Sequence, residues 1–306
     1  EGPDEIVWTF TAYSSLAKTA GITRDDWNAQ TPRAVAYSEE QGRQIIPKMR
    51  DGIALVKKLD RRNLPFWVNE AADSDVKFVR QYIDHVDITG CDYYAVRSTG
   101  TNLPSIGKLV KRWQAVGRGK PVWMVLQAFS WHSSRPDRER LYPTFAQSRF
   151  MAYDAVVHGA GGILYWGSEQ IDDPEFRTSL YALCSELAAI EPFLIGPADD
   201  RVDVRVIDDL FDPPQNRVRV KLFRRESDAL LIVVNEDPHR HLGVDVTGLQ
   251  ALEGRDLVDV YGSESAAVEK GSIVTRLQPY EVKVCATSRR YASQQTAGRS
   301  YGEQRP

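Results

Sequence analysis

Sulfur and imidazole are scarce in this chain: three cysteines, three methionines and five histidines among 306 residues. Cys91, Cys184 and Cys285 lie far apart and form no Cys-x-x-Cys spacing. An odd, scattered set excludes a disulfide framework. The histidines also lack ligand spacing, so neither a metal site nor a cofactor is expected. No apolar run approaches the roughly 18 residues that a membrane helix needs, which argues against membrane insertion. Charge of one sign is lacking too. Lys and Arg number 39 against 42 Asp and Glu, for a net charge of -3. That balance gives no pull toward nucleic acid or an anionic membrane. The pairs Arg224-Arg225 and Arg289-Arg290 are too short for a nucleic-acid surface. No initiator Met or signal segment precedes Glu1. A processed form or a piece of a longer protein is expected, and its compartment is left open, with a soluble extracytoplasmic protein as one reading. Dinucleotide and nucleophile-elbow motifs are missing as well. Gly159, Gly161 and Gly162 precede a strand instead of following one. Ser133, Ser134 and Ser263 lie in no strand-to-helix elbow.

What is present is a strand-and-helix alternation with aromatic strand ends. Lys120 to Trp131 and Gly161 to Glu169 each read as a buried strand ending in aromatic and polar residues. Helical spacing from Phe145 to His158 lies between them, which makes a parallel βαβ crossover. Further strands are expected at about residues 6–11, 64–69 and 86–96. Helices are expected over 33–59, broken or kinked at Pro47, and over 76–83, 106–116 and 176–190. Past Glu191-Pro192 the pattern becomes short strands and tight turns at 201–207, 217–223, 229–235, 242–246 and 282–284. Short strands without helices between them point to an antiparallel sandwich. The expected division is an α/β barrel-like or partial-barrel domain over 1–197 and a β-sandwich over 198–288. A Ser/Gln/Gly/Arg-rich tail over 289–306 is expected to be disordered. The first region offers about five parallel strands, whereas a closed (β/α)8 barrel needs eight strands and about 250 residues.

Leu59-Asp60, Pro65 to Asn69, Val86 to Tyr93, Pro121 to Phe129, His158 to Gly167 and Glu191 to Leu194 together carry a resemblance. Over about residues 45–285 the chain resembles glycoside hydrolase-like (β/α)8-barrel proteins with a C-terminal β-sandwich. In such proteins these segments look like the later barrel strands, so the resemblance implies a barrel lacking its earliest strands. It also implies a carbohydrate ligand and hydrolysis of O-glycosidic bonds.

That chemistry needs two carboxyl groups, one to protonate the leaving oxygen and one to attack or to activate water. Glu70, Asp92 and Glu169 stand at strand ends and are the catalytic candidates. Tyr94 shares a strand face with Asp92 and can hold or tune its carboxylate. Gln127 occupies the strand end where related retaining enzymes commonly carry a nucleophilic glutamate. An amide can hold a hydroxyl but cannot form a glycosyl ester. Trp166 resembles the tryptophan that floors a sugar subsite in this fold, and Trp131 and His132 follow the other strand end. Indole faces bury sugar C–H surfaces, and His132 can donate to a hydroxyl. Two further readings stay open. One is a non-catalytic carbohydrate-binding or assembly module. The other is a structural subunit whose open sheet edges a partner chain or an oligomer covers.

Overall fold

The computed structural model describes residues 4–9, 18–134, 136–207, 217–261 and 264–291. The chain forms two compact units. One consists of Glu1–Tyr94, Lys108–Leu126 and Gly159–Leu164. The other consists of Ala95–Gly107, Gln127–His158 and Tyr165–Pro306. The division therefore does not follow a cut near residue 198.

The first unit is built on a parallel sheet in the order β1-β2-β3-β4, with β1 Glu70–Ala71, β2 Thr89–Asp92, β3 Val122–Gln127 and β4 Gly162–Trp166. The last residues of β3 and β4 continue into the second unit. Cys91 pairs with both Glu70 and Met124, which sets the register of the first three strands. The segment before β1 is extended, and Trp67 bridges Ile88 in parallel. Asp87 fixes that entry: its Oδ2 accepts from the Phe66 N–H at 2.7 Å, and its Oδ1 accepts from Lys57 at 2.7 Å. Trp67, Ile88 and Val125 form a small core joined by Trp123 and Leu164.

Helices α1 Ile6–Thr9, α2 Arg24–Asn28, α3 Pro32–Leu59 and α4 Val76–Val79 belong to this unit. Two expectations change here. Residues 6–9 are helical, not a strand; residues 10 and 11 lie outside the described residues. Pro47 does not end its helix, because α3 runs unbroken for 28 residues. Ala34, Ser38, Gly42, Ile46, Met49 and Ile53 make one buried stripe on both sides of the proline. Packing of that stripe outweighs the one backbone bond that proline cannot make.

The second unit holds α6 Trp131–Ser134, α7 Phe145–Val157 and α8 Pro174–Leu194, and α5 Ser105–Gly117 begins in it. The same unit contains two antiparallel sheets. One has the order β10-β9-β12-β7-β6, from β6 Val218–Arg225, β7 Asp228–Asn235, β9 Asp256–Asp259, β10 Ser265–Ala267 and β12 Val282–Ala286. The other has the order β11-β8-β5, from β5 Asp203–Val206, β8 Leu242–Thr247 and β11 Ile273–Leu277. Ala229, Leu231 and Val233 of β7 join Val244 and Val246 of β8 in one core between the sheets. Alternation turns Leu230, Ile232 and Val234 to the opposite face, and α7 and α8 pack on β6 and β7. Every residue of β7 is consequently buried. Strands β9, β10 and β11 were not anticipated from the sequence, and the turn expected at Gly262-Ser263 lies outside the described residues. The expected disordered tail is corrected at its start. Arg289–Tyr291 form a 3-10 turn, and Tyr291 packs edge-on to Phe193 with centroids 4.7 Å apart. Residues 292–306 lie outside the described residues.

An ion pair is buried where α7 and α8 meet the sandwich. Arg149 Nη2 lies 2.8 Å from Glu186 Oε1, with the two side chains 11% and 1% exposed. Tyr153 donates to the same oxygen at 2.7 Å and Tyr261 to Oε2 at 2.5 Å. Removing one partner of such a pair leaves a charge buried alone, which costs about 3–5 kcal/mol. Glu186→Gln is expected to destabilise the fold by about that amount in urea unfolding. An unchanged urea midpoint would show that the pair contributes nothing net.

Candidate functional site

A carboxyl cluster gathers at the C-terminal ends of β1 and β2 in the first unit. Glu70 is fully buried. Its Oε1 accepts from the Tyr82 phenol at 2.6 Å and its Oε2 from Ser74 Oγ at 2.7 Å, and the Val7 N–H points at both oxygens at 3.3 Å. Burial outweighs these bonds and pushes the Glu70 pKa up to about 7. Asp92, at the end of β2, is nearly buried and is hydrogen-bonded by Tyr94 and by Glu5. Burial, with the nearby Asp4 charge, raises its pKa despite those bonds. Glu5 is pushed up to about 8, first by burial and then by the charge of Asp92. A hydrogen bond between two carboxyls needs one proton, so the pair holds a proton near neutral pH. Burial, followed by the Asp92 charge, also holds the Tyr94 phenol well above its usual range.

The segment carrying Glu5 is tied to the strand ends. Glu5 N–H donates to the Asn69 carbonyl at 3.0 Å, and Asn69 Nδ2 donates to Asp4 Oδ1 at 2.9 Å. Glu5 sits at φ 47°, in the left-handed region that a residue with a Cβ seldom adopts. Backbone strain of this kind concentrates at functional positions.

An aromatic group forms at the ends of β3 and β4 in the second unit. Phe129 is buried and meets Trp131 edge-on at 5.1 Å and Trp166 edge-on at 4.9 Å. The Arg97 guanidinium lies 5.2 Å from the Trp131 ring centre. Trp166 is 42% exposed, an unusual position for an indole at a strand end. Gly167 follows it at φ 83°, and a Cβ there would stand 2.7 Å from the Phe129 Cβ. Only glycine lets the chain turn beneath Phe129 at that point.

The sequence candidates fare differently. Gln127 is fully buried, and both ends of its amide bond backbone. Oε1 accepts from the Val96 N–H at 3.0 Å, and Nε2 donates to the Val96 carbonyl at 3.1 Å and the Phe129 carbonyl at 3.0 Å. It closes the strand end in place of offering a donor to a ligand. Glu70 is likewise sealed among protein donors. Asp92 and Tyr94 are together, as their strand phase implied. Glu169 is exposed on a 3-10 turn, where it accepts from Gln170 at 3.2 Å. His132 is half-buried, with Nδ1 2.7 Å from the Arg138 carbonyl oxygen. Trp131 and Trp166 share Phe129. Sequence reasoning missed Asp4 and Glu5, whose only signal was two adjacent acids in an apolar stretch. It also missed the grouping of Asp154, His158 and Glu236, whose ligand atoms lie within 4.8 Å of one another. The signal the sequence carried for it is an aspartate one helical turn before His158.

No protein-family model and no curated protein matches this chain. Solved structures do. A GH30 endoxylanase from Clostridium papyrosolvens C71 aligns at 14% identity and TM-score 0.39, over 72% of this chain and 65% of that one. An alpha-amylase from Geobacillus thermoleovorans, complexed with acarbose, aligns at 12% identity and TM-score 0.49, over 84% and 64%. An Anoxybacillus alpha-amylase aligns at 12% identity and TM-score 0.42, over 78% and 63%. The chain thus spans a little under two thirds of the length of these proteins. With each of these TM-scores below 0.5, the architecture rests on this chain's own strand order: a four-stranded parallel sheet followed by antiparallel sheets.

The buried carboxyls make stability depend on pH. Folded Glu70 keeps its proton up to about pH 7, while the unfolded chain releases it from about pH 4.5. The folded state binds more protons in that window, so stability falls as pH rises through it. Glu70 alone accounts for about 3 kcal/mol once ionised, and Glu5 acts in the same direction up to about pH 8. Urea midpoints measured from pH 4 to 8 should decline, and Glu70→Gln should flatten the decline. A wild-type midpoint constant across that range would refute the burial argument.

Proposed function

We propose that this chain is a carbohydrate-active protein of glycoside hydrolase type that seats a sugar ring on Trp166. The observation that carries this reading is the exposed indole at the end of β4, braced edge-on by buried Phe129. A core role would bury that ring, and a flat, braced, weakly polar face suits the C–H side of a sugar. Trp131 beside the same phenylalanine, with Arg97 over its ring, supplies a second aromatic surface. His132 follows Trp131, and with Nδ1 donating to the Arg138 carbonyl its Nε2 is left to accept from a hydroxyl. Burial of about 60 Å² of apolar surface on Trp166 at ~25 cal/mol per Å² gives about 1.5 kcal/mol, roughly tenfold in affinity.

Hydrolysis is the further part of the reading, and the Glu5–Asp92 pair favours it. A proton held to near neutral pH is what protonation of a glycosidic oxygen requires. Hydrogen-bonded carboxyls are closer than the roughly 5 Å that separates the acid and nucleophile of a retaining enzyme. The pair would therefore act as a single acid, with Tyr94 holding Asp92. A binding module without chemistry is the alternative that Gln127 and sealed Glu70 support.

Calorimetry with a panel of soluble oligosaccharides tests the binding. Trp166→Ala should weaken the best ligand by about tenfold. Absence of saturable binding to every glycan would overturn the proposal. Turnover of the same panel tests the chemistry. Asp92→Asn is expected to lower the rate by on the order of 10²–10⁴. Binding without turnover in the wild-type protein would select the binding module.

A further inference from the structure

We propose that Asp154, His158 and Glu236 form a divalent-cation site of the zinc type, which ties the end of α7 to the end of β7. The inference is independent of the sugar reading. Asp154 lies in the last turn of α7 and His158 caps that helix, four residues on and over the same face. Glu236 directly follows β7. His158 Nε2 is 2.7 Å from Glu236 Oε1 and 3.6 Å from Asp154 Oδ1.

The carboxylate of Asp154 is the second observation. The residue is fully buried. Its Oδ2 is pinned by the Gly107 N–H at 2.7 Å. Its Oδ1 is buried without a hydrogen-bond donor and faces His158. One oxygen fixed by a backbone donor and the other left for the cation is how a monodentate ligand is oriented. Without a cation, only a proton shared with Glu236 would satisfy that oxygen. Gly107 serves the cluster twice. Its N–H holds Asp154, and its missing side chain leaves room for the imidazole, since a Cβ would stand 2.1 Å from His158 Cδ2. Arg219 Nε donates to Glu236 Oε1 at 2.9 Å and offsets part of the negative charge.

The donor set selects the ion. One imidazole and two carboxylates, without thiolate, suit zinc and its first-row neighbours. Calcium and magnesium take six or more oxygens and would leave most of their shell empty here. Tetrahedral zinc with bonds of about 2.0–2.2 Å needs ligand atoms about 3.3 Å apart. The Asp154–His158 gap is close to that, and the His158–Glu236 gap must open by about half an ångström. A water would complete the shell. The competitor for this place is a proton shared by the two carboxylates, which is the outcome the experiment must separate.

The full chain, stripped with a chelator and dialysed, is titrated with Zn2+ by calorimetry and with Co2+ by visible absorption. One zinc per chain, a raised thermal midpoint and the intense bands of four-coordinate Co2+ are expected. Asp154→Asn keeps an acceptor for the Gly107 N–H and should stay folded by circular dichroism while losing the stoichiometric site. His158→Gln should lose it too. Zinc that binds elsewhere, for example at exposed His239 and His241, would persist in both variants. No one-to-one binding by wild type, or undiminished binding by folded Asp154→Asn, overturns the proposal in favour of the shared proton.

Discussion

The second unit depends on one buried cation. Arg149 gives Nε and Nη2 to Glu186 and Nη1 to the Val282 carbonyl at 2.6 Å, and its guanidinium lies against the rings of Tyr153 and Tyr261 at 5.1 and 5.4 Å. Helix α7, helix α8, strand β12 and the residue that follows the β9 turn therefore meet at a single point. Apolar contact alone would let helices slide on a sheet, because it has no direction. A buried guanidinium tolerates few arrangements, since each unmet donor is penalised. The pair consequently fixes where α7 lies along β7, and with it the meeting of His158 with Glu236. It also fixes where α8 starts, and Phe176 near that start stacks on Tyr142 at 4.7 Å.

Strand ends inherit their order from such fixed elements. Gln127 clamps residues 96 and 129 by three backbone bonds, so Phe129 stands where Trp131 and Trp166 can both reach it. A glutamate at that position could accept from Val96 but could not donate to two carbonyls. The residue that departs from the hydrolase-like pattern is thus the one that holds the aromatic group together. The amide is explained by local hydrogen bonding without reference to any ligand.

Much of this was legible in the sequence and some of it was not, for reasons that can be named. Strands β2, β3 and β4, helices α5, α7 and α8, and five sandwich strands follow from apolar runs and spacing. Residues 6–9 read as a strand because Ile, Val, Trp and Thr favour extended backbone. Tertiary contact with Glu70, through the Val7 N–H, prevails over that weak preference. β9 and β10 escaped because their few residues mix acidic, small and apolar types with no lasting alternation. The exposure of Trp166 agreed with its place at a strand end. The partnership of Asp92 with Glu5 was invisible, because the two lie 87 positions apart and no periodicity connects them. Periodicity reports which face a residue occupies, and it carries no information about which distant side chain meets it there.

The fate of each buried carboxyl is set by whether a cation reaches it. Glu186 has Arg149, at 2.8 Å. Arg112 belongs to the same unit as Glu70, yet its guanidinium bonds the carbonyls of Ala72 and Ser74 instead. Among the described residues no cation pairs with Glu70, and the proton takes that part, as it does for Glu5 with Asp92. The distinction separates structural acids from chemically useful ones. A carboxylate locked to arginine has no proton to give at neutral pH, whereas one neutralised by burial does. Access then decides between the protonated groups. Glu70 is sealed behind Tyr82, Ser74 and Val7, while half-buried Glu5 and Tyr94 leave the Asp92 pair at the margin of the protein. On the proposed hydrolase reading, proton transfer would fall to Asp92 and Glu5, with Glu70 holding their surroundings in place.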